Sequence, residues 1–123
     1  MRSVILTLDG AVVADRALPI VREMARRHSA SVVLVHVGGA ESGLDALVAA
    51  LREEGIAADL ETHPGSQAHA AEIVAEVARR RDVGLIVVAT GRPPKAEDTP
   101  SPGLTRRLLR AAPCPVVAVP AAA

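Results

Sequence analysis

The chain contains no Phe, Tyr or Trp. Without an aromatic face no base can stack on it, which excludes the usual platform for single-stranded nucleic acid. A core must then be assembled from aliphatic side chains, chiefly Val and Ala. Lysine is almost missing too: of fourteen cations thirteen are Arg and one, Lys95, is Lys. Fourteen Asp and Glu balance them to a formal net charge of zero. No long basic run is present, so a phosphate-backbone binder is not expected. The single cysteine, Cys114, can form no internal disulfide and cannot build a metal site alone. No apolar run approaches the ~18 residues of a membrane span, and Val4-Ile5-Leu6 is too short for the apolar region of a signal peptide. A cytosolic protein with neither a membrane nor a nucleic-acid partner is expected.

What is present is a globular balance, with 50% apolar and 23% charged residues over 123 positions, the size of one domain with one core, residues 1–123. Val4-Ile5-Leu6-Thr7-Leu8, Val32-Val33-Leu34-Val35, Leu85-Ile86-Val87-Val88 and Val116-Val117-Ala118-Val119 are short runs rich in β-branched residues. Such runs suit strands covered on both faces. Residues 56–62 alternate more and suit a strand near an edge. Between the runs lie helical stripes: Val13, Ala17, Ile20, Val21 and Met24; Leu44, Leu47, Val48 and Leu51; Ala70, Ile73, Val74 and Val77; and Leu104, Leu108 and Ala111. The order β-α-β-α-β-α-β-α-β predicts an open, Rossmann-like α/β fold with five parallel strands and helices on both faces. Residues 91–103 hold four of the nine prolines and read as an exposed loop. Its end suggests a helix start with Ser101 as N-cap and Pro102 in the first helical position.

In such a sheet ligands sit beyond the carboxyl ends of the strands, where the strand order reverses. Asp9-Gly10 closes the first strand and Ala89-Thr90-Gly91-Arg92 the fourth. If these strands are neighbours, Asp9 can accept hydrogen bonds from ribose hydroxyls, and Gly91 allows backbone approach to phosphates. The alternative is that Asp9 caps the first helix and Gly10 relieves a tight turn. The G-x-G-x-x-G and Walker patterns, the paired acids and late Lys of a phosphoacceptor domain, and the G-x-S-x-G elbow are all missing. No base or nucleophile can be nominated in the crevice, so no enzyme is expected. His63 and His69 flank the start of the third helix without a spacing that favours metal. His36 reads as a hydrogen-bonded residue near a strand end. Cys114, between Pro113 and Pro115, reads as a small packed side chain in a turn at the opposite edge of the sheet.

These segments together resemble the universal stress protein family. The resemblance is carried by Val4-Ile5-Leu6 leading to Asp9-Gly10, by Ala17-Leu18-Pro19, by Leu34-Val35-His36-Val37 and by Gly65. It continues through residues 82–88 and closes on Arg110-Ala111-Ala112-Pro113-Cys114-Pro115-Val116-Val117, covering nearly the whole chain. It implies the strand order 3-2-1-4-5 and a homodimer through the last strand, Val116 to Val119. It also implies that Asp9 and the backbone of Val37 stand where ATP-binding members hold ribose and adenine. Those members carry Gly, two residues, Gly, nine residues, then Gly-Ser or Gly-Thr after the fourth strand. Here Gly91 is followed by Arg92-Pro93-Pro94, and Pro102-Gly103 occupy the closing positions counted back from Pro115. Arg92, Lys95 and Thr105 remain as side-chain phosphate ligands, and Gly103 after a register shift. The resemblance therefore implies a dimeric stress-response or regulatory module in which ATP binding is lost or weak. The alternative is an adenine-nucleotide sensor, for ATP or AMP, with at most slow hydrolysis, using Asp9, Val37, Gly91 and Gly103.

Overall fold

The computed structural model describes residues 2–9, 16–38, 43–90 and 103–120. Five strands, β1 (Ser3–Asp9), β2 (Ser31–Val37), β3 (Ala58–His63), β4 (Val83–Thr90) and β5 (Val116–Pro120), form one sheet. Four α-helices alternate with them: α1 (Leu18–His28), α2 (Leu44–Glu53), α3 (Ala70–Arg80) and α4 (Leu104–Ala111). A short 3-10 turn, Gln67–His69, precedes α3. All four strand pairings are parallel, in the order β3-β2-β1-β4-β5. The α/β class, the five strands and their order agree with the sequence reading.

β-Branched residues build the middle of the sheet because both of its faces are covered, so no position needs a polar side chain. On one face Val4, Leu6, Val32, Leu34 and Val87 pack under Leu18, Val21 and Ala25 of α1 and Leu44, Val48 and Leu51 of α2. On the other, Ile5, Val33, Val35, Ile86 and Val88 meet Ala70, Ala71, Val74, Val77 and Ala78 of α3 and Leu104 and Leu108 of α4. With no ring to bury, the core gains its density from interdigitated branched side chains, and the alanines of α3 let that helix lie close to the sheet.

The weakly alternating segment becomes the edge strand β3. It begins at Ala58, two residues later than the alternation suggested, and Ile56 is buried just ahead of it. The proposed stripes face the core as expected, apart from Ala111, whose neighbour Ala112 packs against the core instead, and Val13, which lies outside the described residues. The start of α4 differs. Its N-cap is Gly103, with extended backbone at φ −71° and ψ 175°, and Leu104 is its first residue. Leu104 and Leu108, one turn apart and both buried, fix where the helix can begin, which overrides the capping signal at Ser101-Pro102. Those two residues lie outside the described residues.

Candidate functional site

Parallel pairing brings the carboxyl ends of all strands to one edge. The chain leaves β1 toward β2 on one side and crosses from β3 to β4 on the other, so the strand order reverses between β1 and β4. The terminal residues of these two strands, Asp9 and Thr90, are register partners. The β1–β2 pairing ends at Thr7 with Val35, and the same register carried two residues on sets Val37 level with Asp9. Asp9, Val37 and Thr90 thus share one rim, the place expected from the sequence. The rim is held rigidly from below: the buried Thr7 hydroxyl donates to the Val35 carbonyl at 3.0 Å.

Val37 is buried, and the chain leaves it through Gly38 at φ +109°, a backbone conformation that glycine adopts without a steric penalty. The Gly38 N–H donates to the His63 carbonyl at 3.0 Å, which extends the β2–β3 ladder by one step at the rim. Thr90 was not singled out in the sequence. Its hydroxyl donates to the Val119 carbonyl at 3.4 Å and ties β4 to β5 beside the crevice; the Ala-Thr-Gly context gave no sign of that role.

Of the residues expected to meet phosphate, those at the start of α4 are described. Gly103 is exposed and Thr105 half-buried, and the Arg107 N–H reaches the Gly103 carbonyl at 3.2 Å. The guanidinium of Arg107 donates to the Ala68 carbonyl, fastening this end of α4 to the turn before α3. Because the helix begins at Leu104, its first-turn N–H groups belong to Leu104, Thr105 and Arg106, and Pro102 withdraws none of them. Gly91, Arg92 and Lys95 lie outside the described residues. The N-cap position of α1 (Leu18–His28) is Ala17 rather than Asp9, and Pro19 stands in the first turn; Gly10 lies outside the described residues.

His36 differs from expectation. Its Nε2 is buried and meets no hydrogen-bond partner among the described residues. His63 pairs with Glu61, its Nε2 donating at 2.9 Å. Among the described residues no group of three or more His, Cys, Asp or Glu is placed to hold a metal ion. Cys114 packs against the core at the amino edge, and burial raises its thiol pKa, which works against reactivity. An open hollow of about 820 Å³ lies at the amino edge among Arg26, Ser31, Glu54 and Ile56. Its carboxylate, Glu54, is already bridged by Arg22 and Arg26, each at 3.0 Å.

The strongest electrostatic feature among the described residues lies on β3. Glu61 accepts from Arg80 at 2.7 Å, from His63 and from the Arg81 Nε. The Arg80 hydrogen bond, with help from His63 and Arg81, outweighs desolvation and holds the Glu61 carboxyl at about 2. The signal for it was present but unread: Arg79-Arg80-Arg81 ends the helix that returns past the alternating acids Asp59 and Glu61.

A universal stress protein from Archaeoglobus fulgidus superposes with a TM-score of 0.73 at 20% identity, covering 96% of this chain and 98% of that one. The fold is that of the universal stress proteins. A universal stress protein of the same organism in complex with dAMP superposes at 0.68 and 20% identity over 96% and 97% of the two chains. A universal stress protein in complex with cAMP gives 0.64 and 18% identity over 98% of each. No protein-family model and no curated protein matches the sequence. The universal stress protein likeness therefore rests on the shared fold. No helix among the described residues is long and apolar enough to cross a membrane.

Proposed function

We propose that this chain is a universal-stress-protein-like regulatory module. In this reading it is one domain over residues 1–123, cytosolic, without enzymatic activity and homodimeric through the free edge of β5, and it grips ATP weakly or not at all. One observation carries the nucleotide part: Asp9, Val37 and Thr90 share the rim where the strand order reverses, while Pro93-Pro94 follow where ATP-binding members have glycine. The rim supports a seat for adenosine; the proline-rich segment, poor in N–H donors, supports poor retention of a triphosphate.

A second reading is favoured by the start of α4. Its first turn contains no proline, with Gly103 leading into it, an arrangement suited to a single phosphate. The solved neighbours that hold dAMP and cAMP carry ligands with one phosphate each. On this reading Asp9 takes the ribose, the Val37 backbone the adenine, and Gly103 and Thr105 the phosphate, with Gly91 and Arg92 closing the site. The module is then a sensor of adenine mononucleotides.

Ultraviolet absorbance separates the two readings with little background, because a chain without Trp, Tyr or Phe is nearly transparent between 250 and 290 nm. The purified protein, incubated with excess ATP or AMP and desalted, is expected to stay flat with ATP. A 260 nm peak retained with AMP and lost in Asp9→Ala supports the sensor. A peak retained with ATP overturns the weak-ATP reading.

A further inference from the structure

The sheet has two outer strands, and they differ in chemistry. Residues 113–120, which contain β5, hold no charged side chain, and Val117 is exposed. Edge strand β3 is closed by arginines from both sides. Ala57 accepts from the Val32 N–H and His63 from the Gly38 N–H, so odd-numbered residues turn their backbone groups to β2. The alternation of a strand then points the N–H and C=O of Ala58, Leu60 and Thr62 outward. Arg52, from α2 on one face, reaches round this edge and donates through Nε to the outward Ala58 carbonyl at 2.8 Å. Its Nη2 meets Asp59 at 3.3 Å. Arg81, from the end of α3 on the other face, takes the second Asp59 oxygen at 3.3 Å and also binds Glu61.

We propose that Arg52, braced by Asp59 and Arg81, is a clasp that blocks strand addition at β3 and so limits self-association of this protein to the β5 edge. An incoming strand needs the Ala58 carbonyl, which Arg52 already occupies, and must desolvate a guanidinium to reach it. The ion pairs that brace Arg52 through Asp59 are exposed and add little to stability; their effect is on which edge is open. One edge open gives a closed pair of chains, whereas two give an open-ended row. The inference rests on the β5 reading only for the size of the parent assembly.

Sedimentation velocity of the parent, Arg52→Ala and Arg52→Ala/Thr62→Pro over a wide concentration range tests it. Thr62 is an outward position, where proline removes an edge donor without breaking the β2 ladder. We expect a two-chain parent. The mean mass of Arg52→Ala should rise with concentration to at least about twice the parent value, and the double variant should return to it. Arg52→Ala sedimenting like the parent with unchanged circular dichroism overturns the clasp, as does growth that Thr62→Pro leaves in place. Should Arg52→Ala not fold, Arg52→Met, which keeps the aliphatic stem and removes the donor to the Ala58 carbonyl, decides by the same readout. A one-chain parent overturns β5 pairing alone, because growth of Arg52→Ala from one chain still reports on β3.

Discussion

Glu61 is a carboxylate whose folded pKa, about 2, lies below the 4.5 of a free glutamate side chain. A depressed acid stabilises the folded state above its unfolded pKa, and the contribution is lost as pH falls through the window between the two values. Stability should therefore decline from about pH 4.5 to about 2, and Glu61→Gln should flatten that part of the profile. At pH 7 we expect Glu61→Gln to cost about 1–2 kcal/mol, less than the full shift implies because Arg80 and Arg81 are partly in water. Urea unfolding of both proteins at several pH values reads this directly. A parallel loss in both would assign the acid limb to other carboxylates. Burial also raises the half-buried Cys114 thiol, which works against its acting as a nucleophile.

At the scale of the element, α4 has two leucines side by side with opposite roles. Leu108 is fully buried and Leu109 is 63% exposed, because eight residues of helix present only one stripe to the sheet. Leu108→Ala should cost about 2–5 kcal/mol, and Leu109→Ala less than about 0.5 kcal/mol, measured by chemical denaturation. Equal losses would mean that Leu109 is covered in the assembled protein. The helix start illustrates how local and tertiary signals compete. Ser101-Pro102 is a good capping pair on paper, yet the helix begins at Leu104 because the Leu104–Leu108 turn is what the α3 face of the sheet can bury. That change leaves the first turn of α4 without a proline.

For the whole molecule, the question is which surfaces remain sticky. Ile86 donates to the Pro115 carbonyl, so 115, 117 and 119 turn toward β4 and the backbone of Ala118 points out. Pro120 already occupies an outward position and ends the usable edge. Ala118→Pro should thus leave the β4–β5 ladder intact and convert a two-chain species to one chain, seen as a halved mass in sedimentation. A variant that keeps the parent mass would place the interface elsewhere.

Much of this architecture was legible in the residues themselves. Short β-branched runs alternating with 3.6-residue stripes determine a parallel α/β sheet, because only strands covered on both faces can be apolar throughout. The position of Asp9 at a strand end, and the missing glycines after Gly91, are likewise properties of the chain alone. Tertiary structure decided what depends on residues distant in sequence. It set Asp9 beside Thr90 and level with Val37, left His36 Nε2 without a partner among the described residues, and moved the start of α4. It also brought Arg52, Asp59, Glu61, Arg80 and Arg81 from three elements onto one edge. Periodicity reports which face a residue shows, a local property. Which groups meet across strands depends on register and crossover, and these are fixed only when the whole sheet assembles.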